Sequence, residues 1–431
     1  MITSEILPSG SVATGKAPVF GGNPLLGAAI SLGILLAMIL LSPLIAVLWV
    51  VPCLVPKKKA LVLLIPRFGG ALNGNIKHFF LYLVHRQAQN CEPYLLTHRC
   101  ATARVLRQQG LPVLFHPSLR SIVALLRARS VVVESADWFH WLKSLLARHA
   151  TSFQVWHGNG MKQILLTDKK IASMLRGPAP LRWALHWLNI YPTYDVVFFA
   201  SPLQRERRAA SFRMKEAALN GQPRNDVLFG ADFGAALIGC DLAGIGKIRR
   251  AIVAGKRVIL YSPTWRLPED TQPAHALDLA QFNEFALRHD LLIVWKAHPK
   301  DQSVVEEREA IIVLDKDVDT YPVMKYADCM ITDYSSIYMD YILLDRPILF
   351  FPYDRNAYFA KRGIQHDYDA IAPGPKCLTQ AQLQEALRQI VIEGRDSWAE
   401  ARGRVRRDFC AYRDDRSCER LFAEIRRRAG F

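Results

Sequence analysis

The stretch VILYSPTWR, residues 258–266, contains in nine positions the pattern that decides the fold, a short apolar run that ends in polar residues. The pattern recurs in LLIVWKAHP at residues 291–299 and in CMITDYSS at residues 329–336. Continuous runs of Val, Ile and Leu that alternate with helical stretches are typical of buried parallel strands. These segments therefore predict a parallel sheet with polar residues at the carboxyl ends of its strands.

Similar apolar runs extend this pattern in both directions along the chain. They lie at residues 60–65, 93–96, 113–115, 131–133, 153–156, 196–200, 311–314 and 347–351. A Gly-rich stretch at residues 220–244 separates an earlier series from a later one. A chain of 431 residues is long enough for two or three domains. We therefore expect two doubly wound α/β units, with ligands bound where their strands end.

Composition narrows the class of protein and of partner. With 51% hydrophobic and 22% charged residues, the chain is neither disordered nor fibrous. Its net charge of +16 favours an anionic partner. Charge alone does not distinguish among nucleic acid, a phospholipid surface and a phosphorylated molecule or polymer. The eight cysteines form no CxxC pair, which is typical of reduced thiols in a cytosolic compartment.

The N-terminal region predicts a membrane anchor. Residues 25–51 are almost wholly apolar, and about 20 such residues suffice to cross a bilayer. A signal peptide or a buried core helix is the competing interpretation. Three lysines at residues 57–59 follow, so the positive-inside rule predicts an inner (cytoplasmic) membrane protein with its catalytic domains on the cytoplasmic side. Trp183 and Trp187, in an amphipathic segment at residues 180–188, suit either the lipid headgroup boundary or an ordinary core-facing helix.

Four polar clusters follow apolar runs and carry the candidate chemistry. They are WHGNGMK at 156–162, with His157 and Lys162; SPTWR at 262–266, with Arg266; WKAHP at 295–299, with Lys296 and His298; and ITDYSS at 331–336, with Thr332, Asp333, Ser335 and Ser336. A histidine at a strand end can act as a base, and a guanidinium or a helix start can hold phosphate. Each cluster alone has a structural explanation, but together they favour a diphosphate donor in a cleft between two α/β halves.

Two common nucleotide-binding classes do not fit the sequence. It contains no Walker A loop, and GGALNGN at residues 69–75 departs from the GxGxxG fingerprint. Phosphate-loop ATPases and simple NAD enzymes are therefore disfavoured.

Several segments together resemble the CDP-glycerol glycerophosphotransferase family, which primes or polymerises teichoic acids and related capsular polymers. The segments are WHGNGMK, GQPRND at 221–226, SPTWR, WKAHP, ITDYSSIYMDY at 331–341, RPILFFPYD at 346–354 and YDAIAPGP at 368–375. The resemblance covers roughly residues 60–425 and implies a GT-B-like α/β fold, in which two Rossmann-like domains face a cleft. It also implies membrane association, although a spanning segment departs from the family's more usual peripheral attachment.

The resemblance also implies roles for individual residues. It makes His157 and His298 the catalytic residues, and it sets Arg266, Thr332, Asp333, Ser335 and Ser336 around the donor diphosphate, where we also expect Lys296. Separately from the resemblance, candidates for contact with the acceptor or the polyol are Lys162, Arg224, Asp354, Arg362 and Asp367. For Asp354, Arg362 and Asp367, surface charges are the alternative interpretation. In the expected reaction, a hydroxyl of a lipid-linked or polymer acceptor attacks the distal phosphate of a CDP-polyol such as CDP-glycerol and releases CMP, with His157 as base. We expect no obligatory cofactor, leave open a Mg²⁺ that accompanies the donor, and expect no nucleic acid partner.

The expected organisation has five parts. They are a tail at 1–24, a transmembrane anchor at 25–56, an acceptor domain at 57–225 with a membrane-facing insertion at about 165–192, a nucleotide-binding domain at 226–400 and a basic C-terminal helix at 401–431. Two other functions stay open at this point. One is a GT-B nucleotide-sugar glycosyltransferase, which would release UDP or GDP. The other is a membrane-tethered basic protein that binds polyanions without turnover.

Overall fold

The computed structural model describes residues 24–67, 69–86, 90–138, 142–158, 164–230, 235–298, 301, 303–362 and 367–431. Two parallel sheets, each covered by helices, account for most of this part of the chain. The α/β class with parallel sheets is therefore confirmed. The expected tail, apart from its last residue, and Lys162 lie outside the described residues.

The first sheet contains seven strands in the order β3-β2-β1-β4-β5-β6-β7, all parallel. They are β1 (Lys58–Ile65), β2 (Glu92–Thr97), β3 (Val113–Phe115), β4 (Ala128–Val133), β5 (Thr151–Gln154), β6 (Tyr194–Phe199) and β7 (Met214–Leu219). The helices of this half are α2 (Gly74–His85), α3 (Cys100–Gln108), α4 (Leu119–Arg127), α5 (Lys143–Leu146), α6 (Lys169–Leu175), α7 (Ala179–Trp187) and α8 (Pro202–Arg208). The sequence had not indicated β7.

The second sheet contains five parallel strands in the order β10-β9-β8-β11-β12. They are β8 (Arg257–Tyr261), β9 (Leu291–Trp295), β10 (Ile311–Val313), β11 (Cys329–Thr332) and β12 (Ile348–Phe350). The helices are α9 (Asp226–Phe229), α10 (Leu242–Val253), α11 (Leu279–Arg288), α12 (Tyr321–Met324), α13 (Tyr338–Tyr341), α14 (Arg355–Arg362), α15 (Tyr368–Ile371), α16 (Gln380–Leu387), α17 (Ala399–Phe409) and α18 (Ser417–Ala429).

Burial on both faces explains why the strands are continuously apolar. Val62, Leu63 and Leu64 of β1 point alternately to the two faces of the first sheet, and all three are fully buried. Helices supply the apolar cover on each side, which gives every sheet two core layers.

The basic C-terminal segment forms two helices that pack on different halves. Val405 and Phe409 of α17 join the core of the second sheet. Leu421 and Ile425 of α18 are fully buried in the core of the first sheet. The chain therefore returns to its N-terminal half at its end, which ties the two halves together.

An N-terminal helix, α1 (Pro24–Leu54), precedes the first sheet. Within it, Leu32–Leu54 is long and apolar enough to cross a membrane by length and composition. Its C-terminal part packs on the first half, where Trp49 donates its indole N–H to the carbonyl of Trp187 at 3.0 Å. Trp183 of α7 remains 53% exposed, so the expected amphipathic helix lies beside α1 with one tryptophan facing outward.

Candidate active site

The polar clusters meet in one cleft at the carboxyl ends of the two sheets. One cavity there, of ≈190 Å³, is lined by Arg67, and we call it the Arg67 cavity. A second cavity, of ≈250 Å³, is lined by Trp265, and we call it the Trp265 cavity. Four residues line both cavities: His157, His298, Ser335 and Ser336. His157 follows β5 of the first sheet and His298 follows β9 of the second, so the two imidazoles converge from opposite halves.

The position of the second-sheet residues follows from strand order. β8 is flanked by β9 on one side and by β11 on the other, so the strand order reverses at β8. Such a reversal opens a crevice at the carboxyl ends of the strands, where α/β proteins bind ligands. His298 after β9 and Ser335 after β11 stand on either side of this crevice.

The backbone carbonyl of Glu134 fixes the tautomer of His157. The Nδ1 atom of the imidazole lies 2.9 Å from that carbonyl oxygen, which can only accept a hydrogen bond. Nδ1 therefore carries the proton, and Nε2 keeps its lone pair. Burial, and after it the positive charges of Arg67, Arg224 and Arg208, lower the pKa of His157 to about 3. The ring is consequently neutral at physiological pH, with the Nε2 lone pair unprotonated.

A buried ion pair positions the loop that carries His157. Arg224 donates from Nη1 to the carbonyl of His157 at 2.8 Å and from Nη2 to the carboxylate of Asp340 at 2.7 Å. Asn225 and the hydroxyl of Tyr321 donate to the same carboxylate, at 2.9 and 3.0 Å. Burial would lower the pKa of Arg224, but Asp340 raises it above its ordinary value. The guanidinium is therefore charged and links the His157 loop to α13.

A second buried charge cluster joins α2 to the other half. Lys77 and His78 each contact Oδ2 of Asp319 at 2.8 Å. Burial would raise the pKa of Asp319, but these two neighbours hold it far below its usual range. Sequence reasoning missed all three residues, and Asp319 lines the Arg67 cavity. The only signal was the polar pair Lys77 and His78 early in a helix that follows a glycine-rich loop.

Lys296 lies in the cleft but is held by the backbone. It lines the Arg67 cavity, and its Nζ donates to the carbonyls of Ala297 and Lys316 at 3.1 and 2.9 Å. Burial lowers its pKa to about 8. At neutral pH most of the ammonium stays charged, so it adds a positive charge to the cavity wall.

Arg266 is buried beside the cleft and lines neither cavity, so its expected contact with the donor diphosphate stays a prediction. Its guanidinium donates to Asp354 at 2.6 and 3.0 Å and to Asp333 at 2.9 Å, and it lines neither cavity. A further bond goes to the carbonyl of Thr264 at 2.6 Å. Two carboxylates compensate its charge, so Arg266 supports the loop after β8 from behind.

Thr332 and Asp333 are also part of this support. The hydroxyl of Thr332 donates to the carbonyl of Ser262 at 2.7 Å. Oδ1 of Asp333 accepts from the backbone N–H and the hydroxyl of Thr264, at 2.9 and 2.6 Å. Both residues are buried behind the crevice and line neither cavity. The helix that follows, α13, spans four residues and continues as a 3-10 turn at Ile342–Leu344.

The residues expected to contact the acceptor or the polyol do not all lie at the cleft. Arg224 lines the Arg67 cavity, whereas Asp354 and Asp367 line neither cavity. Asp354 accepts from Arg266 and from the hydroxyl of Tyr334, and Asp367 caps α15 by accepting from the backbone N–H of Asp369. The side chain of Arg362, at the end of α14, lies outside the described part of the structure, as does Lys162.

No metal-ligand cluster is found where the chain is described. Within those residues, no group of three or more His, Cys, Asp and Glu could hold a metal ion. The expectation of a metal-independent reaction stays a prediction.

Comparisons with known proteins agree with this geometry. The family model described as CDP-Glycerol:Poly(glycerophosphate) glycerophosphotransferase matches residues 47–427. A teichoic acid glycerol-phosphate transferase of Staphylococcus aureus is 27% identical over 74% of this chain and 82% of its own length. A teichoic acid glycerol-phosphate primase of Bacillus spizizenii is 31% identical over 63% of this chain and 68% of its own. A solved variant of the wall teichoic acid polymerase TagF, soaked with CDPG, has a TM-score of 0.70 at 19% identity and covers 93% of this chain and 98% of that one.

Proposed function

Because the chain belongs to the CDP-glycerol:poly(glycerophosphate) glycerophosphotransferase family, we propose that it transfers glycerol phosphate from CDP-glycerol to a hydroxyl of a lipid-linked or polymer acceptor. The enzyme is thus a transferase of teichoic-acid-type polymer synthesis. One observation carries the assignment of the site: His157 and His298, from different sheets, line the same two cavities.

The proposed step is a displacement at phosphorus. The acceptor hydroxyl oxygen attacks the distal phosphate of the donor, and the bond between that phosphorus and the bridging oxygen breaks. CMP leaves with the bonding electron pair, and the hydroxyl proton passes to Nε2 of His157. The carbonyl of Glu134 then stabilises the resulting imidazolium through Nδ1. His298, Lys296, Ser335 and Ser336 hold the diphosphate and stabilise the charge that grows on the leaving phosphate.

Donor binding affects one part of the shift in the pKa of His157. Burial is the main cause of the low pKa, and the positive charges of Arg67, Arg224 and Arg208 add to it. A bound diphosphate places negative charge among the same cations and offsets their part of the effect. The imidazole is therefore a stronger base in the complex with the donor than these cations alone would allow.

The architecture supports a GT-B-like assignment of the two halves. We assign residues 57–225 to a Rossmann-like acceptor domain and residues 226–400 to a Rossmann-like nucleotide-binding domain. The two parallel sheets with a cleft at their carboxyl ends, and the likeness to TagF, support this division. The helix α1 would anchor the enzyme in the inner (cytoplasmic) membrane, with both sheets on the cytoplasmic side and the acceptor delivered from the lipid surface.

A donor panel tests the proposal. The purified protein is incubated with membrane extract and with CDP-glycerol, CDP-ribitol or a UDP-sugar, and the released nucleotide and the added mass are measured. We expect CMP from CDP-glycerol, with turnover reduced about a hundredfold or more in His157→Ala and in His298→Ala. The matched control is His275→Ala, because His275 is exposed and lines neither cavity. UDP release, or full CMP release by either cleft variant, contradicts the proposal.

A further inference from the structure

A large groove runs along α4 and the β1–β2–β3 side of the first sheet, and it shares no lining residue with the two cavities of the active site. It has a volume of ≈720 Å³, and we call it the α4 groove. Lys58 and Glu92, the first residues of β1 and β2, line it, whereas the catalytic cleft lies at the carboxyl ends of the strands. The groove is therefore separate from the site that binds the donor.

The floor of the α4 groove is apolar and faces outward. Leu111, Val113 and Leu114 line it on the side of the sheet. Leu119 and Val123 line it on the side of α4, and they are 78% and 43% exposed. Exposed aliphatic side chains in a concave surface of this size indicate that something apolar covers them.

The rim of the groove is cationic. Lys58 pairs with Glu92 at 2.6 Å, which leaves the charges of Arg107, Arg120 and Arg127 in excess. All three arginines are exposed. The occupant therefore combines an apolar part with a negative charge.

The groove adjoins the end of α1. Lys58 lies four residues after the last residue of α1, Leu54. The ammonium of Lys57 donates to the carbonyl of Leu126 in α4 at 2.6 Å, which holds α4 beside the helix end. A bilayer crossed by α1 therefore brings its headgroup layer to Lys58 and to the rim of the groove.

We propose that the α4 groove binds one anionic phospholipid of the leaflet in which α1 ends, with an acyl chain on the apolar floor and the phosphate among the three arginines. An anionic polymer would leave Leu119 and Val123 uncovered, and a second copy of the chain would bring like charges together. A phospholipid has acyl chains for the apolar floor and a phosphate for the cationic rim, and the membrane around α1 supplies it beside the groove. An anionic lipid would thus be bound specifically by the enzyme, in addition to the lipids that surround α1.

Lipid retention by the full chain tests this proposal without any measurement of activity. The protein in neutral detergent is incubated with equal amounts of phosphatidylglycerol and phosphatidylcholine, and the lipids that stay bound are counted by native mass spectrometry. The test variant is Arg120→Gln/Val123→Ser. The matched control is Arg250→Gln/Val253→Ser on α10, which removes the same groups at the same spacing from exposed positions in the other half.

We expect one phosphatidylglycerol to be retained in preference to phosphatidylcholine by the unmodified protein and by the control. The groove variant should bind it about fivefold more weakly or worse, because a cationic contact and part of the floor are lost. Glycerol 3-phosphate, which carries the charge without acyl chains, should not displace the lipid at equal concentration. Equal retention of both lipids, equal retention by both variants, or displacement by glycerol 3-phosphate overturns the proposal.

Discussion

Asp340→Asn is the substitution that most directly tests how the cleft is held together. Asp340 and Arg224 are 1% and 2% exposed, and their contact distance is 2.7 Å. The amide of asparagine has nearly the same volume as the carboxylate, but it leaves the Arg224 guanidinium buried without its hydrogen-bonded counter-charge. Breaking a buried pair in this way costs about 3–5 kcal/mol of the free energy of unfolding. We expect a loss near the lower figure, of about 3 kcal/mol, because the asparagine carbonyl still accepts from Arg224 or Tyr321.

The assay is urea unfolding of the full chain in detergent, followed by tryptophan fluorescence. A matched control is Glu307→Gln, because Glu307 pairs with Lys247 in a contact whose side chains are 46% and 40% exposed. An exposed pair of this kind contributes about 1 kcal/mol or less. The buried and the exposed substitutions should therefore differ by about 2 kcal/mol.

A double-mutant cycle separates the loss of the pair from the exposure of a lone charge. Arg224→Met combined with Asp340→Asn removes both charges, so its effect should be smaller than the sum of the two single effects by about 2 kcal/mol. Additive effects, or an Asp340→Asn effect no larger than that of Glu307→Gln, would refute the view that this pair is a buried electrostatic link.

Three further predictions follow from the geometry of the cleft. The first concerns pH. Because the pKa of His157 is lowered to about 3, the unfolded chain binds a proton between about pH 6.5 and 3 that the folded chain does not. The urea midpoint should therefore fall as the pH is lowered through this window, and His157→Asn should make the midpoint less dependent on pH. Lys296→Met removes a positive charge that both holds the diphosphate and stabilises the leaving phosphate, so it should raise the KM for CDP-glycerol and lower kcat, with kcat/KM reduced about tenfold or more, measured by CMP release. Gly158→Ala should lower kcat at least about tenfold, because φ is +141° there and a Cβ would lie 3.0 Å from Nη2 of Arg224, and unchanged kcat would show that the loop tolerates this shift.

The strands of both sheets were predictable from sequence wherever both faces are buried. β9, with the sequence LLIVW, is buried at every position and stands out as an apolar run. β7, with the sequence MKEAAL, was missed because it lies at the edge of its sheet, where Lys215 and Glu216 are exposed. Edge strands need only part of the apolar pattern, so periodicity identifies them less well.

The convergence of His157 and His298 was predictable because both follow strands whose carboxyl ends face one cleft. The contacts of Arg266 were not predictable. Arg266 also follows a strand, but its guanidinium is bound by Asp333 and Asp354, which follow two neighbouring strands of the same sheet. A position at a strand end brings a side chain to the right edge of the sheet, whereas its orientation depends on partners that are distant in sequence.

The buried charges beside the cleft limit how the two halves can move. The pair of Lys77 with Asp319 and the pair of Arg224 with Asp340 both cross from the first half to the second, and all four side chains are nearly inaccessible to solvent. Separation of the halves by a few ångströms would break both pairs and leave four charges only partly hydrated, at a cost of several kcal/mol for each pair. The packing of α18 on the first sheet opposes the same movement. We therefore expect the donor to enter a cleft that is already formed, so that His157 and His298 stand at a fixed separation before the substrate arrives.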